Sequence, residues 1–163
     1  MSQVQLQVGA DAVATIVDDV RRYGGGGVET GSLLLTPRGE PTASVLALAG
    51  EAGVTRHRGL FVLSAAALSP LFDYAEDNDL QVRAQVHSHR FEAFLSPTDK
   101  AGNIRMHGFI AAVIPTFATP SSDVAVWGWW VFEGAGWIAT HPAIVSDLNT
   151  KVLTFDADGV HEH

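Results

Sequence analysis

The sequence predicts a single α/β domain, and three observations predict it. Stretches with apolar residues at alternate positions, as strands require, interleave with stretches whose apolar residues recur every three or four positions, as on one face of a helix. The 163 residues suit one ordinary domain, and 47% apolar residues are enough for a core. No apolar run approaches the roughly 20 residues needed to cross a bilayer as a helix. Residues 1–155 are expected to form the domain and 156–163 a flexible tail. Residues 1–14 lack the basic segment and apolar run of a secretory signal, so a soluble, cytoplasmic protein is expected, with no membrane contact.

The elements follow in order. Residues 4–8 alternate as a short strand. Asp11 then precedes Val13, Ile16, Val17 and Val20, spaced as a helical face that ends at Arg21, Arg22 and a glycine run. Gly24 to Gly27 read as a turn, since no lysine follows in the phosphate-loop pattern and the run leads into a strand. Residues 28–35 form a mostly apolar strand carrying one carboxylate, Glu29. A turn at 36–42 leads to a strand at 44–49, and 50–59 is a polar loop with Arg56, His57 and Arg58. A strand at 60–63 precedes a helix from Ser64 to about Asn78, whose main part is expected to begin at Ser69-Pro70. Residues 81–88 alternate as a strand ending in histidines.

After Ser96-Pro97 a helix is expected to run to about His107. Residues 109–114 form an apolar strand, and 115–123 a connector. Residues 124–132 and 137–140 make a hairpin whose tryptophans cover the sheet. Residues 141–148 suggest a short helix and 150–155 a last strand. His161 and His163 fall in the tail; His107, beside Gly108, reads as a dipole-matched residue at a helix C-terminus, and His57 and His141 have no partner visible in the sequence.

Composition removes several classes of function. With 18 acidic and 10 basic side chains the net charge is −8, which argues against a nucleic-acid partner bound by phosphate neutralisation. Zero cysteines exclude disulfides, thiolate metal ligands and a cysteine nucleophile. A metal, if bound, must be held by histidine and carboxylate.

One stretch carries such a set. Residues 86–99 read V-H-S-H-R-F-E-A-F-L-S-P-T-D. His87 and His89 are two apart, so both imidazoles leave the same face of a strand. Asp99 lies ten positions beyond His89, where the first turn of a helix can return its carboxylate to the same point. Two imidazoles and one carboxylate suit zinc and leave a fourth position open for water, as catalytic sites do. Ser96, three residues before Asp99, serves either as a helix cap or as an oxyanion donor. None of the fourteen residues is an obvious general base, since Glu92 lies too close to the strand end. Glu29, a carboxylate beside a buried strand, is the candidate, against the simpler reading of an exposed residue at a strand start.

Glu29, His87-Ser88-His89 and Ser96-Pro97-Thr98-Asp99 together resemble the signature of the JAMM metalloproteases, the catalytic branch of the MPN (Mov34/Pad1) family. The likeness covers roughly residues 8–140, and a chain expected to be one compact domain is similar to stand-alone prokaryotic members. Arg90 stands where the family commonly has proline, and Ser32 and Thr36 replace common glycines.

The resemblance implies the MPN, cytidine-deaminase-like fold, a curved mixed sheet between helices. It implies Zn2+ held by His87, His89 and Asp99, with Glu29 deprotonating the water and Ser96 steadying the oxyanion. The implied reaction is cleavage after the C-terminal tail of a ubiquitin-like protein, in deconjugation or precursor maturation. Activating and conjugating enzymes are the implied partners, and such systems are in some cases linked to phage defence. The family's first insertion maps near 50–59, making Arg56 and Arg58 candidates for substrate contact. Two alternatives accompany this reading: a peptidase trimming a sulfur-carrier protein, and a non-catalytic MPN scaffold.

Overall fold

The computed structural model describes residues 6–163, so the first two positions of the strand expected at 4–8 lie outside the described residues. Strand β1 (Gln7–Gly9) leads into helix α1 (Ala10–Gly25). Asp11 does not cap this helix. Gly9 occupies the cap, and the Asp11 carboxylate reaches across the chain to accept from Thr150 N at 2.7 Å and Thr150 Oγ1 at 2.8 Å.

Strands β2 (Gly31–Pro37) and β3 (Val45–Ala49) form an antiparallel pair. The stretch expected to be a polar loop contains β4 (Val54–His57), which pairs with β5 (Leu60–Leu63) across the two-residue turn Arg58-Gly59 as a separate hairpin. Helix α2 (Ala65–Asp77) starts before Ser69-Pro70, because the Ser64 hydroxyl accepts from Ala67 N and caps it there. Strand β6 (Leu80–Ser88) carries the first histidine near its end. Helix α3 (Pro97–Gly102) is shorter than expected. Asn103 turns to an extended conformation, and its backbone N and side-chain Nδ2 both donate to Asp99 O, which closes the helix.

Strand β7 (Ile110–Ile114) precedes a short 3-10 turn at Val124–Val126, so the tryptophan hairpin starts later than expected, with β8 (Gly128–Glu133) and β9 (Gly136–Ala139). The helix expected at 141–148 is instead β10 (Ala143–Val145), parallel to β1. Its β-branched Ile144-Val145 pair suits a strand, and β1 supplies the partner. Strand β11 (Lys151–Asp156) is followed by β12 (Gly159–Glu162), so the expected flexible tail is an ordered edge strand. Leu153 to Asp156 pair with it, and Lys151 Nζ meets Glu162 Oε1 at 2.6 Å.

Eight strands form one mixed sheet in the order β12-β11-β3-β2-β6-β7-β8-β9, with β3–β11 and β6–β7 parallel. Helix α1 covers one face, where Ile16 and Val20 pack with Leu34, Leu46, Val86 and Ile110. Helix α2 covers the other, where Leu71 and Ala75 pack with Leu33, Leu35, Ala47 and Phe155. Burial on both faces explains why Leu33 to Leu35 of β2 and the whole of β7 read as continuous apolar runs. Trp127 and Trp129 stack at 5.6 Å within the first layer, while Trp130 and Trp137 pack over Ala111 and Val113 on the opposite face.

Ending the chain at Asp156 would strip β11 of its edge partner. The expected result is a lower urea midpoint, equivalent to a loss on the order of 2 kcal/mol from the pairing hydrogen bonds alone. An unchanged midpoint would contradict a structural role for β12.

Candidate metal centre

The site lies where β6 runs out against β7. Pairing of β6 with β2 and β7 fixes its pleat, so His87 points to the side of the sheet that carries Gln85, while Ser88 points into the first layer. His89 continues from the strand, with its N–H donating to Ile114 O at 2.8 Å and its carbonyl accepting from Phe117 N at 3.0 Å. Its Nδ1 lies 3.0 Å from Glu92 O, which sets the ring, and Phe94 meets the ring edge-on at 4.9 Å.

Asp99 arrives from α3 through a capping box. Ser96 Oγ accepts from Asp99 N at 3.0 Å, and Asp99 Oδ2 accepts from Ser96 N at 3.1 Å. The same carboxylate meets both imidazoles: Oδ1 is 3.2 Å from His87 Nε2 and Oδ2 is 3.0 Å from His89 Nε2. The two Nε2 atoms are themselves 3.2 Å apart.

Glu29 precedes β2 and is 5% exposed. Its N–H donates to His57 O at 2.8 Å in the β4–β5 hairpin. The next residue is pinned on both sides: Thr30 N donates to Ser88 Oγ at 3.0 Å, and Thr30 Oγ1 accepts from Arg56 Nε at 2.9 Å. Glu29, His87 and His89 consequently offer donor atoms that all lie within 4.8 Å of one another.

These distances test the fit to zinc. Nitrogen or oxygen ligands about 2.0–2.1 Å from a tetrahedral ion stand roughly 3.3–3.4 Å from each other. The observed 3.0–3.2 Å separations among His87, His89 and Asp99 approach that spacing before any ion is added. The all-nitrogen-and-oxygen donor set also suits zinc in a chain without cysteine. The residues fit a divalent metal, and Glu29 stands beside them on the same pocket.

Electrostatics separates the two carboxylates. Burial raises Glu29 to about 7; His89 opposes the rise and Asp99 adds to it. Burial also disfavours an ionised Asp99, but hydrogen bonds from His87 and His89, with the Ser96 N–H, hold it well below the usual carboxylate range. Burial opposes charge on His89 too, yet the bond to Asp99 raises its pKa. One carboxylate is thus fixed as an anion, while the other is tuned to exchange a proton near neutral pH.

The substrate-contact expectation divides. Arg58 is exposed and lines a cleft of about 480 Å³ together with Glu29, His89, Phe94, Ser96 and Asp99. Arg56 does not reach it. Its side chain is 7% exposed, donates to Gly50 O at 2.7 Å and Ala49 O at 2.6 Å as well as to Thr30, and lies 4.0 Å over the Tyr23 ring. Arg56 is a structural clamp that ties the hairpin to the segment holding Glu29. Sequence reasoning also missed Phe91 and Phe94, the aromatic rim of the cleft, and the Ser88–Thr30 link. The middle position of His-x-His, forced to the opposite face by the strand pleat, was the signal available for Ser88.

Two solved structures share this architecture. A protein from Desulfitobacterium hafniense determined in solution matches with a TM-score of 0.65 and 12% identity, over 88% of this chain and 95% of its own. A JAB1/MPN domain protein from Archaeoglobus fulgidus matches with a TM-score of 0.52 and 13% identity, over 86% of this chain and 97% of its own. The chain has an MPN-type fold. No family model matches the sequence, and no curated protein does. Within the MPN-type fold the helix-borne Asp99 and strand-borne His87 share one end of the sheet, and no helix among the described residues is long and apolar enough to cross a membrane.

In the zinc-free chain Glu29 binds its proton more tightly folded than unfolded, with values of about 7 against 4.5. Between those values the folded state holds more protons, so Glu29 lowers stability as pH rises. Glu29→Gln should gain urea stability relative to the parent chain on going from pH 4.5 to pH 8. A difference independent of pH would contradict a buried, proton-binding Glu29.

Proposed function

We propose that the protein is a zinc-dependent peptidase or isopeptidase of the JAMM type. The observation that carries this reading is the convergence of His87 Nε2, His89 Nε2 and the Asp99 carboxylate, with Glu29 beside them at the floor of an open cleft.

Bound by those three residues, zinc would supply a Lewis acid that lowers the pKa of a bound water toward ~7 and polarises the scissile carbonyl. The remaining work belongs to the chain. Glu29, beside the three donors on the same cleft, accepts a proton from the attacking water and returns it to the leaving amine. Ser96 Oγ accepts from Asp99 N with one of its lone pairs, which leaves its O–H free to donate to the oxyanion of the tetrahedral intermediate. Its capping and its catalytic role are therefore compatible. Asp99 keeps its charge and orients both imidazoles. Phe91, 65% exposed, and Phe94 supply apolar surface along the cleft, and Arg58 a cation at its edge.

The substrate class proposed is a ubiquitin-like protein cut after its extended C-terminal tail, with the activating and conjugating enzymes of the same system as further partners. A tail of small residues suits an open cleft in which chain direction, not deep side-chain pockets, places the carbonyl. Trimming of a sulfur-carrier protein uses the same chemistry and is the neighbouring reading. A link to phage defence would follow from the partner and not from the site. A scaffold role is disfavoured, because all three ligands, the base and the serine are retained.

Fusions of candidate ubiquitin-like proteins to a reporter, incubated with and without a chelator, give the direct test by mass of the products. Cleavage after the tail is expected only with zinc present, and Glu29→Gln should keep zinc while losing on the order of 10²–10⁴-fold in rate. Full turnover by Glu29→Gln, or cleavage that survives the chelator, would overturn the assignment.

A further inference from the structure

Two buried polar atoms behind the site have no protein partner among the described residues: His87 Nδ1 and Asn103 Oδ1. Both side chains line one chamber of about 100 Å³, on the inner side of the site, with Gln85 beside them and Leu33, Phe61 and Leu68 among its apolar walls. His87 is 3% and Asn103 8% exposed, so bulk water does not satisfy either.

The orientation of each group is fixed by its other contact. Asn103 Nδ2 donates to Asp99 O at 2.8 Å, and a carbonyl can only accept, so the amide oxygen is the atom left for the chamber. His87 Nε2 faces Asp99 Oδ1 and His89 Nε2, which commits that nitrogen's lone pair to the metal donor set. The proton of a metal-binding His87 therefore sits on Nδ1. A donor and an acceptor, both buried, border the same space. A water needs roughly 10–15 Å³ of such volume, so the chamber admits several.

His89 gives the contrast. Its Nδ1 is already held by Glu92 O at 3.0 Å, whereas His87 has no backbone carbonyl in that role. Metal-binding histidines almost always donate their second N–H to an acceptor, which holds the ring and strengthens the ligand.

We propose that Asn103 is the positioning residue for His87: the Nδ1–H donates to an ordered water held in this chamber, and that water donates to Asn103 Oδ1. The proposal rests on the metal-site reading above. It gives α3 two holds on the centre: Asp99 from its first turn acts on Nε2, and Asn103 from its end acts on Nδ1 of the same ring. It also explains why a cavity with polar corners is kept between α2, β5 and α3.

The test uses the full-length, zinc-loaded chain and proton–nitrogen NMR of the histidine rings. The His87 Nδ1 proton should exchange slowly and show a cross-peak to a long-lived water; a rapidly exchanging proton, or none on Nδ1, overturns the proposal without any variant. Asn103→Leu keeps the volume but removes the acceptor. Asn103→Asp keeps an acceptor but removes the hydrogen bond that Nδ2 donates to Asp99 O. Zinc affinity by chelator competition should weaken about 10–100-fold in Asn103→Leu and stay within a few-fold in Asn103→Asp. Equal losses in both variants would assign Asn103 to closing α3 alone, and no loss in Asn103→Leu would remove it from the centre. A parent chain that binds no zinc sinks the metal reading itself, which separates the two failures.

Discussion

The Asp99 carboxylate is the constraint on which the site depends. It is hydrogen-bonded by the Ser96 N–H, and it faces both His87 Nε2 and His89 Nε2. Bringing a carboxylate and two imidazoles within 3.2 Å in a mostly buried place is costly unless each group is paired or shares a cation. The capping box answers the geometric half of that problem, since the same hydrogen bonds that start α3 aim the carboxylate. The electrostatic half is answered by the histidines, which keep Asp99 ionised against its own burial. The helix start and the donor set are one structure.

Glu29 is held by different means, which explains its different protonation. Among the described residues no histidine hydrogen bond stabilises its anion, and burial dominates. Its place is set by backbone contacts: Glu29 N to His57 O, Thr30 to Ser88, and Thr30 to Arg56. The β4–β5 hairpin, which pairs with none of the main sheet's strands and packs Phe61 and Leu63 on its α2 face, is thereby tied to the centre. Arg56 spreads its charge over two carbonyls, a hydroxyl and the Tyr23 ring, a use that suits a rigid planar guanidinium better than a lysine. Two carboxylates of similar intrinsic acidity thus part widely, Asp99 far below neutrality and Glu29 near it, as a centre needs if one is to bind a cation and the other to move a proton.

The sequence made the local part of this legible. His-x-His on a strand and Ser-Pro-x-Asp at a helix start are short-range patterns whose geometry follows from the strand pleat and the cap, and both side chains and cap stand where those rules put them. Elements with strong periodicity, such as α1, β2 and β7, were equally plain. What stayed hidden depends on distant pairing. Residues 143–145 become a strand only because β1 offers an edge, and 159–162 only because β11 does. Arg56 looked like an exposed cation in a polar loop, since nothing nearby in sequence announces Tyr23 or the carbonyls of Ala49 and Gly50 as its partners. The buried end of Asn103 was invisible for the same reason.

The whole account turns on one ion position, and anomalous diffraction at the zinc edge from crystals grown with zinc measures it directly. A single strong peak is predicted about 2.0–2.2 Å from His87 Nε2, His89 Nε2 and an Asp99 carboxylate oxygen, with Glu29 facing its open side. A peak elsewhere, or these three side chains diverging with no ion among them, would contradict the hydrolase reading and leave an MPN-type fold alone.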